Sequence, residues 1–369
     1  MNKYSIKKLV KPTINQIAKY VPGRSSIEGK DKVIKLSSNE SPFELPKKIL
    51  DKILTTSNLL NLYPDGNSSF LKKAISKTFK IKENQIICGN GSDDILSVIA
   101  QTFCSEGDDV ICSEYGFIYY PIIAKISGAK VKIAKTENLK VSCNNIIKKI
   151  SRKTKIIFIA NPNNPTGSVI LRKELKAFLE QVPRNIIVVI DGAYSEFVLN
   201  KSYSDGIDLI QKFPNLVLTR TFSKIYALAG LRLGWAYSSN SIISLLEKVR
   251  GPFNVNVFAQ KIGAEVLKEK KFLLKSVKHN LKWQKKLPSL INEMGLEAIS
   301  TFANFIIVRV DKTKFSKKLI LNELVKKNIL IRDLTNYGLR DYIRISIGTD
   351  RQLNKLLSSL KEIMNKNYK

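Results

Sequence analysis

The stretch KIIFIANPNNPTG, Lys155–Gly167, changes character in its middle. Ile156-Ile157-Phe158-Ile159-Ala160 is an apolar, β-branched run with the length of a buried strand. It leads directly into three asparagines, two prolines and a glycine. Two prolines with asparagine between them fix φ at two points and hold the intervening side chains in place. Such a turn is either a tight surface turn or a loop at a strand's carboxyl end that aims an asparagine amide at a ligand. Alone, the stretch favours the surface turn, and its neighbours have to decide.

Strand-like runs alternate with helical patterns from about residue 85 to residue 240. The expected strands are Ile86–Cys88, Asp109–Cys112, Lys130–Ala134, Lys155–Ala160, Ile186–Ile190, Asn215–Arg220 and Leu233–Tyr237. Helical segments such as Asp93–Phe103 and Leu171–Gln181 lie between them. This alternation predicts an α/β domain with a mostly parallel sheet of seven strands. After residue 260 come long Lys-rich amphipathic helices. Two further strands, Phe305–Val310 and Tyr342–Ile347, point to a smaller α+β unit. The expected organisation is an N-terminal arm over residues 1–35, a large domain over 36–260 and a small C-terminal domain over 261–369. A chain of 369 residues is long enough for one large domain and a smaller one.

Composition narrows the function classes. A hydrophobic content of 44% with 25% charged residues is that of a globular protein. No apolar stretch is long enough to span a bilayer, and the start, MNKYSIKKLVKPTINQ, has no apolar core of a secretory signal. Cys88, Cys104, Cys112 and Cys143 form no CxxC pair, so a reduced, cytoplasmic location is expected and a disulfide framework is not. No metal site is expected. The formal charge of +31 invites a nucleic-acid reading. The lysines, however, are scattered, often as pairs such as Lys47-Lys48 and Lys148-Lys149, with no basic tail or block. They read as solvated faces whose field still draws anionic substrates, and neither a nucleic-acid nor a membrane partner is expected.

In open α/β sheets ligands bind at the carboxyl ends of strands. After Ile86–Cys88 comes Gly89-Asn90-Gly91-Ser92 and a helix opening on Asp93-Asp94, which leaves backbone N–H groups free for a phosphate. After Asp109–Cys112 comes Ser113-Glu114-Tyr115-Gly116, with an aromatic ring at the rim. The strand at Lys155–Ala160 is followed by Asn164, and that at Ile186–Ile190 by Asp191 and then Tyr194. Thr221-Phe222-Ser223-Lys224 and Gly230-Leu231-Arg232 close the series. Each feature alone has a plain structural reading: an ordinary turn, a helix cap, rim packing, one lysine among dozens. Together they put a phosphate cradle, an aromatic face, an amide, a carboxylate, a lysine, a hydroxyl and an arginine on one rim. That inventory suits pyridoxal 5'-phosphate.

These motifs resemble the fold-type I pyridoxal-phosphate enzymes and, within them, the histidinol-phosphate aminotransferases. The resemblance covers nearly the whole chain. It is carried by YVPG (Tyr20–Gly23), KLSSNESPF (Lys35–Phe43), LYPDG (Leu62–Gly66), GNGSDD (Gly89–Asp94), NPNNPTG (Asn161–Gly167), IDGAYSEF (Ile190–Phe197), TFSKIYALAGLRLG (Thr221–Gly234) and ILIRDLTNYGLRDYIRISIGT (Ile329–Thr349). It implies a transamination between histidinol phosphate and 2-oxoglutarate, giving imidazole acetol phosphate and glutamate. Related readings on the same fold are an aromatic-amino-acid aminotransferase and a phosphothreonine decarboxylase.

By the resemblance, Lys224 is the lysine that condenses with the cofactor's aldehyde. Asp191 pairs with the pyridinium nitrogen, and Asn164 and Tyr194 bond the ring oxygen. Gly91, Ser92 and Asp93, with Thr221, Ser223 and Arg232, bind the phosphate, and Tyr115 stacks on the ring. Tyr63 reaches the neighbouring subunit's site, which implies a homodimer. Tyr20, Asn39, Arg332 and Arg344 contact substrate. For Arg332 a structural salt bridge with Asp333 or Asp341 is the competing reading. Glu44 follows Phe43 where related sequences carry a turn glycine, so the substrate-side loop is where a difference is expected. The single histidine, His279, lies in a Lys-rich helical region and reads as a surface residue. Without a second histidine or a Gly-x-Ser-x-Gly elbow, a hydrolytic triad is not expected.

Overall fold

The computed structural model describes residues 9–311 and 315–365. A short strand, β1 (Ile34–Leu36), precedes the alternating region. Then come β2 (Ile86–Gly89), β3 (Asp109–Ser113), β4 (Lys130–Ala134), β5 (Thr154–Ala160), β6 (Ile187–Asp191), β7 (Leu216–Thr221) and β8 (Gly234–Tyr237). The C-terminal part adds β9 (Glu297–Ile299), β10 (Phe305–Arg309), β11 (Ile329–Asp333) and β12 (Tyr342–Ser346).

The seven expected strands form one sheet in the order β2-β8-β7-β6-β5-β3-β4. Only β8 runs antiparallel to its neighbours. Alternate residues of each strand enter two different cores, as the pleat requires. In β5, Ile157 and Ile159 join one cluster while Ile156, Phe158 and Ala160 join the other. In β6, Val188 and Ile190 separate from Ile187 and Val189 in the same way. Both faces are thus covered, which is why these strands read as unbroken apolar runs. The order reverses between β3 and β5, and the crevice beyond their carboxyl ends is where such sheets bind ligands.

The second sheet has five strands, β1-β11-β12-β10-β9, where the two expected runs account for β10 and β12. The three others carry little strand signal. β1 and β9 are three residues each, and β11 is an apolar run closed by Arg332 and Asp333. β1, expected at the junction of the arm and the large domain, pairs parallel with β11, Ile34 opposite Ile329. Helices Lys270–Asn292, Lys317–Lys326 and Asp350–Asn365 cover one face of this sheet with Trp283, Leu287, Leu324, Leu356 and Leu360. On that face lie Ile306, Ile343 and Ile345, whereas Phe305 and Ile307 turn to the core of the large sheet. Arg344, between Ile343 and Ile345, therefore points toward the large sheet's ligand-binding rim.

The parallel and antiparallel parts of the large sheet meet closely at β8. A Cβ at Gly234 would lie 2.6 Å from the carbonyl carbon of Gly91, in the turn that opens the helix Ser92–Phe103. Gly234→Ala is expected to force β8 and that turn apart, at a cost of about 1–3 kcal/mol. Urea unfolding of the cofactor-free variant should show a lower midpoint with an unchanged slope.

Candidate active site

The PNNP turn is held by its own side chains. Asn161, fully buried, donates from Nδ2 to the Ile170 carbonyl (3.0 Å) and accepts the Ile170 N–H at Oδ1 (2.9 Å). Asn163, also fully buried, donates from Nδ2 to the Tyr115 carbonyl and to Thr166 Oγ1, both at 2.8 Å, and so ties the loop after β5 to the loop after β3. The third asparagine, Asn164, lines the main cavity and its Oδ1 accepts from Arg344 Nη1. Two asparagines thus fasten the turn and one faces the site.

The cavity, about 350 Å³, lies between the carboxyl rim of the large sheet and the second sheet. Asp191 and Thr221, expected just past their strands, are the last residues of β6 and β7. The wall brings together Ser92, Asp93, Asn164, Asp191, Tyr194, Thr221, Ser223, Lys224 and Arg232 from the rim. Tyr20, Asn39, Arg332 and Arg344 complete it from the N-terminal segment and the second sheet.

At one end is an anion cradle. Gly91, at φ +87°, turns the chain into the helix Ser92–Phe103, whose first N–H groups have no side-chain cap. Gly91 does not itself line the cavity, but any side chain on it would meet Arg232, with Nη2 2.6 Å from the Cβ. Arg232 donates from Nη1 to the Ala229 carbonyl (3.1 Å) and leans toward Asp93 at 3.4 Å. Ser223 N–H donates to Thr221 Oγ1 at 3.1 Å, so the hydroxyl-bearing loop is ordered beside it.

At the other end, burial pushes the Asp191 carboxyl up to about 6, while a hydrogen bond from the Tyr120 hydroxyl (2.8 Å) holds it down in part. Lys224 Nζ donates to the Ser38 carbonyl at 3.3 Å. Burial first, and the Arg344 guanidinium second, bring its ammonium down to about 8. Tyr194 receives the Asn39 amide at its hydroxyl (2.9 Å), and burial raises its proton affinity.

Arg332 and Arg344 stand directly opposite each other in β11 and β12 and are 8% and 4% exposed. Arg332 Nη2 donates to the Val21 carbonyl (3.1 Å) and Arg344 Nη2 to the Ser37 carbonyl (3.0 Å). Among the described residues neither has an ion-pair partner. Asp333, the expected structural partner of Arg332, is bound by Lys317 at 2.6 Å. Arg344 Nε, buried, has no acceptor. Two desolvated guanidiniums side by side with hydrogen-bonding capacity to spare suit an anion.

The expectations for Tyr115 and His279 are not met, and Tyr63, expected at a neighbouring subunit's site, stands outside this chain's cavity. Tyr115 does not line the cavity: its ring lies against Gly338. The loop turns back at Gly116, whose N–H donates to the Ser113 carbonyl (3.0 Å), and the aromatic wall is made by Phe117 and Tyr120. Tyr63 is 83% exposed outside the cavity, stacked on Phe253 at 4.7 Å. His279 is not a plain surface residue: it is half-buried, bonds the Gly348 carbonyl through Nε2 (2.8 Å) and meets the Phe43 ring edge-on. The rings of Phe117, Tyr120 and Tyr337 were recognisable in the sequence only as aromatics near glycine turns.

The set of groups fits pyridoxal phosphate. The cradle that any Cβ at Gly91 would fill takes a phosphate, Asp191 offers a buried carboxylate, and Lys224 offers a buried amine of lowered proton affinity.

Residues 31–360 match the family model for aminotransferase class I and II. The chain is 41% identical over 351 residues to a histidinol-phosphate aminotransferase of Pelagibacter ubique, covering 95% of this chain and 98% of that one. It is 36% identical to one from Rhodopseudomonas palustris, over 96% and 97% of the two chains. The crystal structure of the histidinol-phosphate aminotransferase from Clostridium acetobutylicum superposes with a TM-score of 0.83 at 27% identity, over 90% of this chain and 99% of that one. Motifs, sheet order and cavity agree with these likenesses, and the chain belongs to the aminotransferase class I and II family, among the pyridoxal-phosphate-dependent histidinol-phosphate aminotransferases.

Proposed function

We propose that this chain moves an amino group between histidinol phosphate and 2-oxoglutarate, as a step of histidine biosynthesis, and that it works as a cytoplasmic homodimer. The observation that carries the substrate reading is the pair of buried arginines, Arg332 and Arg344, opposite each other on the wall that Lys224 shares. A phosphate ester of an amino alcohol brings an amine for one end of the cavity and a dianion for the other. Glutamate brings a carboxylate to the same face. The aromatic aminotransferase and phosphothreonine decarboxylase readings share the fold, and phosphothreonine would also bring two anions to this pair; the relatives named above favour histidinol phosphate.

Bound in the cavity, pyridoxal phosphate supplies an electron sink for breaking a bond at the amino acid's α-carbon. The chain's residues then have distinct tasks. The N–H groups of Ser92 and Asp93, with Thr221, Ser223 and Arg232, hold the phosphate through charge-assisted bonds. Asp191 holds a proton on the pyridine nitrogen, and Asn164 and Tyr194 orient the ring through its oxygen. Phe117, on the wall where Tyr115 is not, covers the ring face. Lys224, with its lowered proton affinity, would be the group that takes the proton from the substrate's α-carbon and returns it. Tyr20, 45% exposed at the mouth, and Asn39, bonded to Tyr194, bound the substrate space.

The dimer reading is supported by Tyr63 and Phe253, which stack on each other and stand exposed, as do Leu60, Leu62 and Phe70 close by in sequence. The cytoplasmic reading rests on four buried free cysteines. No helix among the described residues is long and apolar enough to cross a membrane. The division into arm (1–35), cofactor-binding unit (36–260) and smaller unit (261–369) is retained, with β1 lent to the smaller unit's sheet.

A panel of histidinol phosphate, phosphothreonine, phenylalanine and aspartate, each with 2-oxoglutarate, tests the substrate reading. Histidinol phosphate should turn over fastest, and release of CO2 from phosphothreonine would overturn it. Arg332→Ala should lower kcat/KM for histidinol phosphate about thirtyfold, for a lost contact of about 2 kcal/mol, and affect glutamate much less. Arg344→Ala should damage both half-reactions. Capture of pyridoxal phosphate by the cofactor-free protein needs the neutral amine, so its rate should rise as pH increases through about 8, where the folded Lys224 loses its proton. Borohydride should then fix the cofactor on the Lys224 peptide; an adduct on another lysine would refute the assignment. Mixing inactive Lys224→Ala and Tyr63→Ala chains should restore part of the activity, because one site of each heterodimer is intact. No recovery after verified subunit exchange would count against a shared site.

A further inference from the structure

We propose that Tyr120 is a positioning residue for the reaction: its hydroxyl holds Asp191 in place and keeps it ionised against the cofactor's ring nitrogen. The inference rests on the reading of Asp191 as the partner of that nitrogen, and goes beyond it by assigning the residue behind Asp191.

Tyr120, in the helix Tyr119–Ile126, is 1% exposed. Its ring is fixed on both sides. It stacks on Phe158 at 5.0 Å and 9° between planes, and meets Phe117 edge-on at 5.5 Å and 88°. Held so, its hydroxyl donates to Asp191 Oδ2 at 2.8 Å. The other carboxylate oxygen accepts a longer bond, 3.2 Å, from the Ala193 N–H, and the Thr219 hydroxyl, a smaller cause than either, also helps to hold the carboxyl down. A carboxylate has about four acceptor positions, so these bonds leave room for a further donor.

Dry surroundings favour the neutral acid, and a donated hydrogen bond favours the ion. At Asp191 the two oppose each other, and the Tyr120 hydroxyl heads the opposing causes. The other group whose charge raises Asp191 is the Asp93 carboxylate at the cradle. Asp191 in turn adds to the raised proton affinity of Tyr194. Tyr120 cannot reverse its role: burial, with the Asp191 charge next, pushes its proton affinity well above the ordinary phenol range. It is therefore a donor at every working pH, where an imidazole in the same place would titrate. The chain's single histidine, His279, is occupied with the Gly348 carbonyl and takes no part.

Tyr120→Phe keeps both ring contacts and removes only the hydroxyl. In the cofactor-free protein, the Asp191 titration, read as the infrared carboxyl difference against Asp191→Asn, should move upward from about 6 by about one pH unit. In the cofactor-loaded protein, a less ionised Asp191 leaves the ring nitrogen less protonated, and the lysine–cofactor linkage then holds its proton more tightly. The pH midpoint of the long-wavelength absorption band should shift upward, in the direction that Asp191→Asn shifts it. The kcat should fall about tenfold with little change in KM. Replacing Tyr120 by 3-fluorotyrosine, a stronger donor of nearly the same shape, should move the Asp191 titration the opposite way, and serves also if Tyr120→Phe does not fold. Unchanged titrations in the Tyr120 variants, with a clear effect of Asp191→Asn, would overturn the proposal alone. No effect of Asp191→Asn on band or rate would overturn the reading of Asp191 on which it rests.

Discussion

Positive charge buried without a negative partner governs the centre of this molecule. Arg332 and Arg344 face each other across two paired strands, where like charges weaken a sheet. Taking such charges out of water is costly unless their donors are met. Here they are met only in part, by oxygen dipoles: the Val21 and Ser37 carbonyls and the Asn164 amide, with Arg344 Nε left over. The path of the N-terminal segment follows from this need. It is laid along the second sheet by β1, delivers its carbonyls to the guanidiniums, and continues to Asn39, whose N–H donates to Ser346 Oγ at 2.8 Å. What looks like an arm in the sequence is part of the wall.

The cavity wall carries both signs of charge. The cradle collects N–H groups and Arg232 beside Asp93, and Asp191 adds a buried carboxylate. Burial acts on the two key ionisable groups in opposite senses, raising the carboxyl of Asp191 and lowering the ammonium of Lys224. The charge change of each group is thereby brought toward neutral pH, to about 6 and about 8, the condition in which a small change of surroundings moves a proton.

The large sheet was legible because all its strands but the edge strand β4 are buried on both faces and so read as short, mostly apolar runs. The cofactor rim was legible because chemistry sits where each run stops: Asn164, Asp191, Lys224. Three kinds of feature were not. β1 and β9 are too short to show a period, and β1 depends on a partner strand nearly three hundred residues away (Ile34 with Ile329). Tyr115 and Phe117 are both aromatics in one loop, and only the turn at Gly116 decides which faces the cavity. Tyr120 is one apolar position in a helix until its hydroxyl is seen to meet Asp191. The half-burial of His279 likewise depends on Gly348, which lies far along the chain.

The pairing of β1 with β11 also sets an order of assembly on the ribosome. The large sheet closes with β8, after residue 237, while the strand that receives Ile34–Leu36 ends at Asp333 and the one that carries Arg344 ends at Ser346. Long-range contacts of this kind form late, since the loop between their ends must first be closed. A nascent chain that already holds the rim of Lys224 and Asp191 therefore has β1 unpaired until β11 has emerged. The cofactor side of the pocket is thus complete in the chain before the strands of the anion-binding wall are available.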